Sequence, residues 1–191
     1  MYIYFLGLIF SALFGTFAKI ADVLEEHGLK WFYGSNIFFG LLWGFMGGLT
    51  ILNNFTVGTF WIAIVLQWIC RGKIDRPSHG IGASIMILVY IYLISIGYNI
   101  EWNLLIVVIP LFILVSIIKK IILLPHIIID YNIYIFILLI IWSIWDPQLW
   151  IIFLSFLVNT IFYQGTKRVG GNIITRQQKE LSKKMAPSIF M

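Results

Sequence analysis

The stretch Trp61–Ile94, WIAIVLQWICRGKIDRPSHGIGASIMILVYIYLI, holds two apolar runs on either side of one polar hinge. Arg71, Lys73, Asp75, Arg76 and His79 crowd into that hinge, in a chain that is only 11% charged. Apolar runs broken sharply by charge are what a chain shows when it crosses a bilayer, turns in water and crosses back. Pro77 and Ser78 suit the start of a new helix, with Ser78 as its cap.

The same alternation extends in both directions. Of the 191 residues, 61% are apolar and mean hydropathy is +0.97. Soluble domains run at about 45–50% apolar and about 25% charged. A water-soluble fold has no room to hide the excess, so lipid is the expected solvent. Seven apolar segments can be drawn, at roughly 2–18, 37–52, 56–70, 81–99, 103–118, 132–145 and 148–164. Several fall short of the ~20 residues that span a hydrocarbon core, so flanking residues must extend them. The stretch 121–130 is too short to span and is interrupted by Pro125, which reads as interfacial or re-entrant. The opening MYIYFLGLIF lacks a basic leader and reads as a retained helix. The expected fold is all-α, a polytopic bundle of about seven transmembrane helices over 1–164, followed by a basic cytoplasmic tail over 165–191.

Basic residues set the expected orientation. Lys19 and Lys30, then Arg71, Lys73 and Arg76, then Lys119 and Lys120, then Lys167, Arg168, Arg176, Lys179, Lys183 and Lys184 all fall on one side under alternating threading. That side is taken as the cytoplasm, which puts the N-terminus outside and the C-terminus inside. The connections around Asn53, Glu101 and Asp146 carry no Lys or Arg. Heavy use of isoleucine suits a prokaryotic plasma membrane. The net charge of +5 is accounted for by this bias and by anionic headgroups. Membrane lipids are therefore the expected partners, and nucleic acid is not. One cysteine, Cys70, excludes an internal disulfide.

Glycine is concentrated early. Gly40, Gly44 and Gly48 share one helix face, as do Gly7, Ser11 and Gly15. Small faces let helix backbones approach closely in lipid. The first four helices are expected to form a tight core, with the Ile-rich last three around it. A homo-oligomer through the Gly40, Gly44, Gly48 face is the competing reading.

The inner side also gathers most of the acids and all three histidines. If the first helix continues past Lys19, Asp22 and Glu26 fall one turn apart beside His27. Two such carboxylates can hold a divalent cation such as Mg²⁺, although a local Lys-to-acid pair gives the same pattern. At the hinge, Arg71, Lys73 and Arg76 with the exposed N–H groups of the next helix suit a phosphate. His79 can serve there as general acid or base, with Asp75 four residues before it. His126 and Asp130 form a third such pair and complete the candidate set.

No family signature is met in full. Arg76–Gly80, RPSHG, carries pieces of the lipid-phosphate phosphatase signatures but fuses two blocks and lacks the third. His126 and Asp130 stand too close for the H-x4-D of glycerolipid acyltransferases. The expected function is a membrane enzyme acting on a phosphate- or pyrophosphate-bearing lipid or isoprenoid at the cytoplasmic leaflet, by transfer or hydrolysis. The alternative is a non-enzymatic subunit, scaffold or small-solute transporter or channel.

Overall fold

The computed structural model describes residues 2–28, 31–121 and 133–185. They form seven α-helices: α1 Tyr2–Glu26, α2 Ser35–Asn53, α3 Phe55–Cys70, α4 Pro77–Ser95, α5 Trp102–Ile121, α6 Ile133–Trp145 and α7 Trp150–Met185. A 3₁₀ turn, Pro147–Leu149, leads into α7, and the side chain of Asp146 caps it through the Gln148 N–H at 3.0 Å. Among the described residues there is no strand.

Among the described residues, four stretches have the length and apolar character to cross a membrane: Tyr4–Glu26, Ser35–Asn53, Pro77–Ser95 and Pro147–Ile174. Three shorter apolar helices accompany them, Phe55–Cys70, Trp102–Val115 and Ile133–Trp145. Large apolar side chains such as Leu88, Ile106, Ile144 and Trp145 stand exposed around the bundle. Water penalises that arrangement and hydrocarbon does not, so the surface is compatible with a membrane bundle.

The short α3 is the axis. From Val57 to Val65 every residue is buried, so this helix has no polar face to turn outward. Asn54 starts it by accepting from the Val57 N–H at 3.0 Å. Around it pack α2, α4, α5 and α7, while α1 lies between α2 and α7.

The glycine faces are used inside the chain. A Cβ at Gly40 would stand 2.9 Å from the Ser78 Cα, and one at Gly44 would stand 2.6 Å from the Gly82 Cα. The face that offered either an internal neighbour or a second copy is therefore taken by α4. Gly15 of α1 meets α7 in the same way, where a Cβ would stand 2.5 Å from the Asn159 carbonyl oxygen. This corrects the expectation that the last three helices only surround the first four. α7 lies in the core, because the small face of α1 admits its backbone. Polar bonds reinforce the seam: Ser11 and Ser155 hydroxyls pair at 2.7 Å, Trp61 Nε1 donates to Ser155 at 3.1 Å, and Asn159 Nδ2 donates to the Ser11 carbonyl at 3.0 Å. α7 also runs without a break past 164 to Met185, so the basic segment begins as a continuation of the apolar helix.

These contacts make a prediction. Gly44→Ala lowers stability by about 1–3 kcal/mol, because the new methyl meets backbone that cannot rotate away. Gly165→Ala, where a Cβ meets nothing within 4 Å, leaves stability unchanged or raised. Thermal unfolding in detergent of the two variants beside wild type checks the contrast.

Candidate functional site

The ionisable residues of α1 converge with those of α4 at one end of the bundle. α1 continues through Glu26, which places Lys19, Asp22 and Glu26 along one face. Lys19 is 4% exposed, and its Nζ lies 3.2 Å from Asp22 Oδ2 and 3.5 Å from Glu26 Oε2. Asp22 Oδ1 meets His79 Nε2 at 2.6 Å, and Asp22 Oδ2 also accepts from the Tyr163 hydroxyl at 2.7 Å. One carboxylate therefore ties α1 to α4 and α7.

Two consequences follow for the expected divalent cation. The Lys19 ammonium already occupies the space between Asp22 and Glu26. Among the described residues, no group of three or more His, Cys, Asp or Glu side chains is arranged to hold a metal ion. Among the described residues, Asp22 and Glu26 are held as partners of Lys19.

The N-terminus of α4 is also occupied from within. Its N-cap residue is Arg76, with Pro77 at the first helical position and no side-chain cap. Ser78, expected as the cap, is one step inside the helix. Its hydroxyl donates to Glu25 Oε2 at 2.7 Å and its N–H to Glu25 Oε1 at 3.4 Å. The same Oε1 accepts from Asn36 Nδ2, in the first turn of α2, at 3.0 Å. Glu25 thus supplies the anion that two helix beginnings attract, and it was absent from the expected site.

Between α1, α3, α4 and α7 lies a cavity of about 550 Å³. Asp22, Glu26, Arg71, Lys73, Asp75 and His79 all line it, joined by Lys167 of α7. Its deeper wall is aromatic, with Phe14, Trp43, Trp61 and Phe156. Phe14 stacks on Trp43 at 5.7 Å between ring centroids and meets Trp61 edge-on at 4.8 Å. The cavity is amphiphilic, charged at the rim and apolar below. Comparison with family models, with curated proteins and with solved structures gives no match. The reading of the site rests on its geometry.

His79 stands between two carboxylates, with Asp22 at Nε2 and Asp75 toward Nδ1. Since an ionised carboxylate only accepts, Asp22 holds the Nε2–H tautomer. Nδ1 is then the basic atom, with Asp75 Oδ1 3.6 Å away and the Asp75 side chain 64% exposed. Arg71 is anchored by donating from Nη1 to Gln67 Oε1 at 3.1 Å.

Other expected residues stand apart. Arg76 is not among the cavity-lining residues. His27 is exposed in the turn after α1, where its N–H donates to the Val23 carbonyl at 3.2 Å. His126 and Asp130 lie outside the described residues. Tyr163 and Lys167 stand outside the expected site, Lys167 having counted only as an orientation charge. Spacing along one chain cannot reveal that α7 returns to α1.

Proposed function

We propose that this protein is a membrane enzyme that handles a phosphate-bearing lipid at the charged rim of the amphiphilic cavity. The supporting observation is that Arg71, Lys73, Lys167 and His79 line the same opening whose depth is aromatic. A single ligand with an anionic head and an apolar tail matches both halves. In this reading all seven helices cross the bilayer, assisted by local thinning around the short ones. The rim faces the cytoplasm, the side that the Lys and Arg residues mark.

The roles follow from position. Arg71, Lys73 and Lys167 hold the phosphate oxygens. His79 Nδ1 exchanges a proton with the oxygen that attacks or leaves the phosphorus. Asp22 orients the ring through Nε2, as a carboxylate orients a catalytic histidine, and Asp75 lies at the rim beside Nδ1. The reaction class is transfer or hydrolysis at a phosphate or pyrophosphate linkage. The internal ion pairing of Lys19 with Asp22 and Glu26 suits the second reading, a non-enzymatic membrane component whose charges hold helices together.

Native mass spectrometry of co-purified lipid, together with phosphate release from a panel of lipid and isoprenyl phosphates, separates the two. His79→Ala lowers turnover by about 100-fold or more while lipid remains bound. Asp75→Asn gives a smaller loss. Folded variants that leave both lipid retention and turnover unchanged would sink the enzyme reading and favour the structural one.

A further inference from the structure

Two buried N–H donors beside this cavity have no hydrogen-bond partner among the described residues: Trp43 Nε1 and Gln67 Nε2. Gln67 is 0% exposed and Trp43 is 2% exposed, and both line the cavity. A buried donor left unmade loses its hydration without compensation, so native proteins pair nearly all of them. Trp61, the neighbouring indole, follows that rule by donating to Ser155 at 3.1 Å.

Their depth is informative. Gln67 lies one turn before Arg71 on α3, and its Oε1 is already committed to that guanidinium. The Trp43 ring packs on Gly82, where a Cβ would stand 2.1 Å from Trp43 Cε2, the ring carbon bonded to Nε1. Gly82 lies one turn below His79 on α4. A helical turn rises about 5.4 Å. Both orphan donors therefore sit about one turn beneath the charged rim, Gln67 on α3 and Trp43 on α2.

Resting on the phosphate-lipid reading, we infer that the ligand carries hydrogen-bond acceptor oxygens just below its phosphate, received by Gln67 Nε2 and Trp43 Nε1. A glycerol-linked lipid phosphate has such oxygens a few bonds from phosphorus. An isoprenyl or simple alkyl phosphate has hydrocarbon there and would leave both donors unpaired. The cavity accordingly selects the glycerolipid class.

A matched set of probes tests this with the full chain in detergent. Oleoyl lysophosphatidic acid and oleyl monophosphate share a phosphate monoester and a similar chain, and differ in the acylglycerol linker. Monooleoylglycerol lacks the phosphate, and the ether analogue of lysophosphatidic acid separates carbonyl from ether oxygens. The expected result is that lysophosphatidic acid binds about tenfold tighter than oleyl phosphate. Gln67→Met reduces that ratio to about threefold or less, and Trp43→Phe does the same, while both keep the preference for phosphate over monooleoylglycerol. Equal binding of lysophosphatidic acid and oleyl phosphate by wild type overturns the inference, whatever the variants do. If phosphate preference persists in that case, the proposed function stands without it. A linker preference with no phosphate preference supports the acceptor site and overturns the phosphate reading, and binding of no probe overturns both. An advantage shared by the ether analogue assigns the donors to linker oxygens, and an advantage confined to the ester assigns them to the carbonyl.

Discussion

Asp22→Ala is expected to destabilise the protein by about 3 kcal/mol, more than any other single polar substitution. The substitution removes the acceptor of Lys19, His79 and Tyr163 at once. Breaking a buried ion pair from one side costs roughly 3–5 kcal/mol, because the remaining charge stays buried without compensation. Hydrogen bonds within membranes average only about 0.6 kcal/mol, since the unfolded chain also finds partners, which holds the expectation to the lower end of that range. Lys19→Met in the Asp22→Ala background recovers at least half of the loss, because it removes a buried ammonium left with only the more exposed Glu26 carboxylate at 3.5 Å. Unfolding in mixed micelles of the two single variants and the double variant measures the coupling. A loss below about 1 kcal/mol for Asp22→Ala would show that water, and not Asp22, satisfies these groups.

The second large effect is expected at Glu25. Its carboxylate takes three hydrogen bonds, from Asn36, from the Ser78 hydroxyl and from the Ser78 N–H. All three come from the opening turns of α2 and α4, where negative charge is favoured. Bonds to a charged group contribute about 1.5–3 kcal/mol each when buried, and this site is partly open to solvent. Glu25→Ala should therefore cost about 2 kcal/mol. It should raise hydrogen exchange first in the opening turns of α2 and α4, with α3 unaffected. Glu25→Gln retains an acceptor oxygen and loses less than half as much. Uniform faster exchange across the bundle would mean that Glu25 supports the whole fold and not these two helix ends.

The helical architecture was legible because it depends on local composition. The hinge from Cys70 to Pro77 separates α3 from α4 where charge interrupts the apolar runs, and α3 begins within a residue of the expected position. Lipid and backbone hydrogen bonding leave a chain of this kind little besides helix, so the pattern alone was sufficient. The pairing of Asp22 with Lys19 was also foreseeable, since they lie three apart on one helix. The glycine repeats at Gly40, Gly44 and Gly48 announced close packing but named no partner. α4 was the answer because Gly82 and Ser78 offer matching small residues, and that match lies some 40 positions away.

That the chain is apolar and helical, with its ionisable side chains gathered around a few turns, can be read from composition alone, because those properties are summed over neighbours along the chain. Tertiary structure decided which of those side chains meet. It set Glu25 at the start of α4 and Lys19 between Asp22 and Glu26. It also brought Tyr163 and Lys167 of the last helix to the first. The physical reason is that partners separated by more than a hundred residues are chosen by how helix surfaces fit, and that fit is a property of two faces together, carried by neither segment alone.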